Sequence, residues 1–184
     1  FEMVRAELSH HHPELGTLTV PAENYTMVVS RPAEEPGLWR EYLVGAHDAY
    51  RRQGCLAALD FASVVGGTTT CLFFAVVDGS GRVRGGLRVQ NRLIVAAQSH
   101  ALEEWQGQPA QVALVNAIES RLHDGIVEVK SAWVDDRWPF ASEAAAQLAR
   151  SGLPVMEICR VEHTMATAAD HVLRRWESGG GRID

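Results

Sequence analysis

Gly125–His163, GIVEVKSAWVDDRWPFASEAAAQLARSGLPVMEICRVEH, carries the sharpest changes of composition in the chain. It divides by composition into a β-rich run, a polar turn, an alanine-rich helix and a second β-rich run. Ile126–Val134 is dense in β-branched and aromatic residues, which suit a pleated, half-buried surface, so it reads as a strand. Ser142, Glu143 and the run Ala144–Arg150 supply a capping hydroxyl, a carboxylate for the positive end of the helix dipole, and good helix formers. Gly152 and Pro154 read as the stop of that helix, and Val155–Val161 as the next strand. A strand-helix-strand unit of this length joins parallel neighbours, and the N-terminus of its helix is a natural place for an anion.

Upstream, Thr68–Asp78 and Arg82–Val95 are β-rich runs separated by Gly79, Ser80 and Gly81, a hairpin signal. The first is apolar on both faces. The second alternates, with Leu87, Val89, Asn91 and Leu93 on one side and Arg88, Gln90 and Arg92 on the other. Arg88 and Arg92 therefore either lie on a solvated face or bind a carboxylate or phosphate. Tyr25–Ser30 reads as a first strand, and Leu38, Tyr42, Leu43, Ala46 and Tyr50 recur at helical spacing up to Gly54. Leu56–Val65, His100–Gly107, Val112–Leu122 and Ala166–Glu177 read as further helical pieces. Phe1–Asn24 is polar and irregular and reads as a solvated arm, with His10, His11 and His12 adjacent before Pro13.

The 184 residues fit one domain, residues 25–184, behind that arm. A chain of this length buries roughly 70% of its unfolded surface without a metal or disulfide staple. The net charge of -6, with basic residues scattered, argues against a nucleic-acid partner bound through a basic surface. No apolar run is long enough to span a bilayer and no leader precedes the arm, so the expectation is a cytoplasmic protein with no membrane partner. Cys55, Cys71 and Cys159 are odd in number and far apart in sequence, and read as buried reduced thiols.

The order strand, helix, helix, hairpin, helix, strand, helix, strand, helix resembles the GCN5-related N-acyltransferase fold, a mixed α/β (α+β) domain with helices on a central sheet. Gly85-Gly86-Leu87-Arg88, the long insertion before the central strand, and Glu157-x-x-Arg160 look closer to the divergent branch of acyl-homoserine lactone and N-acyl amino acid synthases. The resemblance implies transfer of an acyl group from a thioester donor to the amine of a small molecule or amino acid. It places the donor on the backbone of Trp133, Val134 and Asp135, with Arg137 and Ser142 at its phosphates. Arg137-Trp138-Pro139-Phe140-Ala141-Ser142 stands where the family has a glycine-rich loop, so an acyl-coenzyme A donor, an acyl-carrier protein donor and loss of activity all stay open. The family's usual acid, a tyrosine on the last helix, has Arg175 or Trp176 at the nearest positions, with His171 as a substitute. The fold also normally adds one or two strands after that helix, and the chain ends at Asp184, so a shortened domain and an excerpt of a longer protein both fit.

Acyl transfer needs a deprotonated amine, a polarised thioester carbonyl and a protonated leaving thiolate. The resemblance puts the base at Glu128, and Lys130 lies two residues on, so a salt bridge and a catalytic pair are both open. If Val155–Val161 is a strand, Glu157, Cys159 and His163 share a face and reach the cleft of Glu128, while Arg88 or Arg160 binds an acceptor carboxylate. The alternative is a catalytically silent domain of this fold that binds a ligand or partner protein. A metal-dependent hydrolase using His10–His12 with Glu162 and His163 is a third reading; the leading one expects no metal. A homodimer stays open.

Overall fold

The structure is a computed structural model that describes residues 16–168, 173–174 and 177–182. In chain order the elements are β1 Leu18–Pro21, β2 Tyr25–Ser30, α1 Pro36–Arg52, α2 Phe61–Val64, β3 Thr70–Asp78, β4 Val83–Gln90, α3 His100–Glu104, α4 Gln111–Glu119, β5 Ile126–Val134, α5 Ala141–Ala149, α6 Gly152–Cys159 and β6 His163–Met165. Short 3-10 turns fill Leu56–Ala58 and Ala96–Gln98. The strands form one mixed sheet in the order β1-β2-β3-β4-β5-β6, flanked by helices. Neighbours from β1 to β5 are antiparallel, and β5–β6 is parallel. The mixed α/β architecture and the bounds of β2 and β5 are as the residue pattern implies.

Two helix layers cover the sheet. Val127 and Val129 of β5 pack with Leu72, Phe74, Leu87 and Val89 beneath Ala144, Leu148 and Val155 of α5 and α6. On the other face, Phe73, Ala75 and Trp133 pack beneath Trp39, Tyr42, Leu43 and Ala46 of α1. A third cluster, Leu93, Ala96, Ile118 and Ile126, seats the α3–α4 region at one end of that second face.

Several expectations are overturned. Residues 155–159, expected in a strand, belong to α6: Pro154 sits in the first turn, where no amide bond is lost, and Val155, Ile158 and Cys159 face the core at helical spacing. The parallel strand is the shorter β6. Gly152 thus opens a helix instead of ending one. Ser142 does not cap α5, whose N-cap is Phe140 with no side-chain cap bond. Leu18–Pro21, inside the expected arm, pairs with β2 as a strand. The expected helix at 56–65 is a 3-10 turn followed by α2. Residues 166–168 are not helical; of the rest of the expected final helix, residues 173–174 and 177 are helical, and His171, Arg175 and Trp176 lie outside the described residues, as do His10–His12.

Gly86 lies in a close approach between the sheet and α1: an added Cβ would lie 2.1 Å from the Phe74 carbonyl oxygen and 2.8 Å from the Tyr42 ring. Gly86→Ala is therefore expected to cost about 2–3 kcal/mol in urea unfolding. Gly37→Ala, in the first turn of α1 with nothing within 4 Å, should leave stability unchanged or raise it by about 0.5–1 kcal/mol. Equal midpoints for the two variants would contradict this packing.

Candidate functional site

The sheet opens beside β5. Its parallel pairing with β6 covers only Ile126–His163, Val127–Thr164 and Glu128–Met165. Past Glu128, β5 continues to Val134 with β4 on one side and no paired strand on the other among the described residues. Asp135 N–H donates to the Arg84 carbonyl of the β4 side at 2.7 Å, so the Asp135 amide is committed. By strand alternation the Val134 N–H points away from β4, toward the open edge. Of the backbone groups expected there, Val134 is thus the one oriented to polarise a carbonyl.

Opposite Leu87, the register of β5 slips by one residue, a bulge at Ser131, whose φ of 54° is left-handed. Side chains hold this strained turn in place. Tyr42 Oη donates to the Ser131 carbonyl at 2.8 Å, and Arg88 Nε donates to Ser131 Oγ at 3.3 Å. Arg88 also donates to Thr70 Oγ1 at 3.4 Å and is only 4% exposed, so the solvated-face reading of it is overturned. Among the described residues it makes no carboxylate ion pair, and burial pushes its pKa down, opposed by the nearby Tyr42 and Glu128. Burial in turn pushes Tyr42 well up, and it pushes Tyr50 up to about 12 with help from Cys55 and Glu104.

Glu128, the expected base, is 0% exposed. Its Oε2 accepts from Ser99 Oγ at 3.0 Å and from the His100 N–H at 2.9 Å, while Oε1 accepts from the Ala101 N–H at 3.0 Å. The carboxylate therefore caps the first turn of α3, where Ser99 makes no cap bond of its own. Lys130 Nζ lies 3.6 Å from Glu128 Oε1 and 2.5 Å from Glu104 Oε1, so the salt-bridge reading of that pair is present in the geometry. Glu104 also accepts from Thr167 Oγ1 at 2.5 Å and lies 3.3 Å from His100 Nδ1. Burial pushes Glu104 up, but the His100 ring beside it and the bonds from Lys130 and Thr167 outweigh it and hold its pKa at about 2.

Glu157, Arg160 and Cys159 do not join this group. Glu157 is exposed on α6 and Arg160 is exposed at that helix's end, in a layer on the opposite face of the sheet from the Glu128 carboxylate. His163 lies beside Ile126 on β6, with its ring 3.7 Å from Asp124. Asp124, Glu162 and His163 bring one ligand atom each within 4.8 Å of one another, the group among the described residues that could hold a cation. Arg137 is 73% exposed and pairs with Asp135 at 3.1 Å, and Asp135 in turn meets Arg84 at 3.2 Å. Burial pushes Asp135 up, and Arg137 and Arg84 together hold it below its usual value. Ser142 is exposed in the first turn of α5, next to the start of which Arg137 stands. Trp133 packs on Gly45 of α1, and its Nε1 is buried without a partner among the described residues.

His100, Glu104, Tyr42, Thr70 and Ser131 were missed in the sequence. Only His100 with Glu104 carried a signal, an i,i+4 pair on a short helix. The others converge through the sheet.

No protein-family model matches the chain. Uncharacterized proteins from Mycobacterium bovis and Mycobacterium tuberculosis are 42% identical to it over 174 residues, 94% of this chain and 66% of theirs. The chain thus spans just under two thirds of the length of the curated relatives it matches. Among solved structures, it is similar to glucosamine-6-phosphate N-acetyltransferase from Arabidopsis thaliana, at 8% identity and TM-score 0.48 over 88% of this chain and 94% of that one. It is also similar to a GNAT family N-acetyltransferase from Escherichia coli in complex with CoA, at 16% identity and TM-score 0.41 over 90% of this chain and 71% of that one.

Two outcomes follow from the Glu128 geometry. Glu128→Gln places an NH2 group against a backbone or hydroxyl donor, and is expected to lower unfolding free energy by about 2–4 kcal/mol in urea titration; a loss under about 0.5 kcal/mol would contradict the capping role. Glu104 has a folded pKa of about 2 against an ordinary 4.5, so its contribution is complete above pH 4.5 and is lost as pH falls toward 2. Urea midpoints across that window should fall with acidification in the wild type and fall less in Glu104→Gln.

Proposed function

We propose that the chain is an N-acyltransferase that moves an acyl group from a thioester donor to the amine of a small molecule bearing a carboxylate, such as an amino acid. The observation that carries this reading is the open edge of β5 past Glu128, beside a buried Arg88 whose side-chain partners among the described residues are two hydroxyls at long range. An extended acyl-pantetheine arm can lie along that edge as a strand would, with the Val134 N–H polarising its carbonyl. Arg137 and the N–H groups of Ser142 and Glu143 in the first turn of α5 suit the donor's phosphates, with Arg137 leaving Asp135 to reach them. Donor identity, coenzyme A or carrier protein, turns on that same corner.

We assign the acceptor to the other face, beside α1 and α3. Arg88 binds its carboxylate there, because a buried guanidinium with neutral partners gains most from an incoming anion. Glu128 holds α3 in place and, with both oxygens already bonded, is a positioning residue and not the proton acceptor. That task falls to His100, which is partly exposed and lies between Glu103 and Glu104 at 3.4 Å and 3.3 Å. The amine loses its proton to His100, its nitrogen attacks the thioester carbonyl, and as the C–S bond breaks the sulfur leaves as a thiol with the second proton shed by that nitrogen. His163, Glu157 and Arg160 take no part in this scheme.

A silent ligand-binding domain of the same shape is the second reading. Phe140 at the N-cap of α5 and the Arg137–Asp135 pair favour it, since both obstruct the phosphate corner.

Thermal unfolding with acetyl-, medium-chain and long-chain acyl-coenzyme A, followed by mass detection of N-acylated products from mixed amino acids, separates these readings. The transferase should show a donor-dependent shift and an acylated amino acid. Arg88→Met should raise the acceptor KM about 10–100-fold with the donor KM unchanged, and His100→Gln should lower kcat about 100-fold or more at neutral pH. A shift without product supports the silent domain, and neither shift nor product with coenzyme A or carrier-bound donors overturns the proposal.

A further inference from the structure

A cleft of about 650 Å³ lies away from the open edge of β5, where the first residues of β3 and β5 meet the end of α6. Arg31, Thr70, Arg92 and Val127 line it, together with Cys71 of β3 and Cys159 at the last position of α6. The two sulfurs are 88 residues apart in sequence and 3.7 Å apart in space. Both thiols are half-buried and free, whereas Cys55 is exposed and makes its one contact with the Tyr50 carbonyl at 3.6 Å. Neither Glu128, Arg88 nor the proposed donor corner uses this pair. From the sulfur contact and the open cleft, we infer that Cys71 and Cys159 are a peroxide-reactive dithiol that closes to a disulfide.

The surroundings of the two sulfurs differ. Cys71 Sγ lies 3.1 Å from the Gln90 carbonyl and 3.5 Å from the Val89 carbonyl, which receive its proton as a thiol. The Cys159 S–H, donated to Cys71, outweighs burial and holds the Cys71 pKa below its usual value, with the Arg31 charge acting in the same direction. The same contact, with burial, pushes Cys159 up. Cys71 is therefore the sulfur that ionises and attacks first. Among the described residues Arg31 has no carboxylate partner, so its charge remains available to the cleft.

The reaction balances with a hydroperoxide as oxidant. The Cys71 thiolate attacks one peroxide oxygen, the O–O bond breaks, and the departing oxygen leaves as water after taking a proton, giving a sulfenic acid. Cys159 sulfur then attacks Cys71 sulfur, the S–O bond breaks, and the hydroxide takes the Cys159 proton to leave as a second water. Hydrogen peroxide becomes two waters and two thiols become one disulfide. A closing movement of under 2 Å brings the sulfurs from 3.7 Å to bonding distance, about 2.05 Å. The new bond would tie the end of α6, and so the segment that leads into β6, to the middle of the sheet.

The test uses the full chain, reduced, freed of reductant and treated with a small excess of hydrogen peroxide. The expected result is loss of two hydrogens by intact mass, a Cys71–Cys159 linked peptide in a non-reducing digest, and reversal by dithiothreitol. Cys55→Ser should react as the wild type does, and Cys159→Ser should stop at a sulfenic acid on Cys71 that dimedone traps. Equilibration of the wild type in mixtures of reduced and oxidised dithiothreitol, then alkylation, reads the same bond without any variant. Oxygen added to Cys71 or Cys159 with no linked peptide, or links made only through Cys55, would overturn the assignment. These readouts need no acyl donor, so they stand or fall separately from the acyltransferase reading.

Discussion

A carboxylate with no exposure to water, Glu128, organises the polar layer over β4 and β5. Burying an ionised Glu128 would cost several kcal/mol if its oxygens were left bare, and the cost is offset only when donors surround it. Ser99 Oγ and the N–H groups of His100 and Ala101 are those donors, and Lys130 supplies the nearest positive charge. The requirement works in both directions. Helix α3 is a five-residue helix, too short to be stable alone, and it is formed where Glu128 accepts its first free amides. Glu104, at its other end, is thereby brought to Lys130.

The same physics explains why the polar layer over β4 and β5 is so dense. Arg88 and Lys130 are register partners on neighbouring strands, so two cations stand side by side under α1 and α3. Glu128 and Glu104 neutralise Lys130. Arg88 is left with Ser131 and Thr70 hydroxyls, an arrangement of low electrostatic compensation for a buried guanidinium. The bulge at Ser131 is part of this arrangement: it turns one carbonyl to Tyr42 and offers its hydroxyl to Arg88. Backbone strain, a buried cation and an open strand edge thus occur within a few residues of one another, as they do where a site is built to receive a ligand.

Charge pairing of another kind closes the far end of the hairpin. Arg84 bridges Asp78 and Asp135, and Arg137 takes the remaining oxygen of Asp135. The Ser80 hydroxyl, with Arg84 behind it, holds the Asp78 carboxyl far below its usual value. This partly exposed chain of charges fixes the turn that follows β5 and sets where α5 begins, more by geometry than by energy. The proposed donor role of Arg137 and the folded turn therefore draw on the same side chain.

The residue pattern alone determined β2, β3 and β5, the first part of the expected run Arg82–Val95 that forms β4, and the long helix α1, because β-branched runs and a 3.6-residue apolar repeat each have one favourable outcome there. It also named Glu128, Lys130 and Arg88 as residues of interest. It could not separate strand from helix at 155–159, where a short apolar run satisfies both periods and Pro154 suits a helix start as well as a helix stop. Packing in three dimensions sets α6 over one face while Glu128 turns to the other, which parts Glu157 and Arg160 from the site. It alone decided that Arg88 is buried, that Glu128 caps α3, and that Cys71 meets Cys159. Each of these depends on which segments the sheet brings together, and contacts across tens of residues leave no period in the chain.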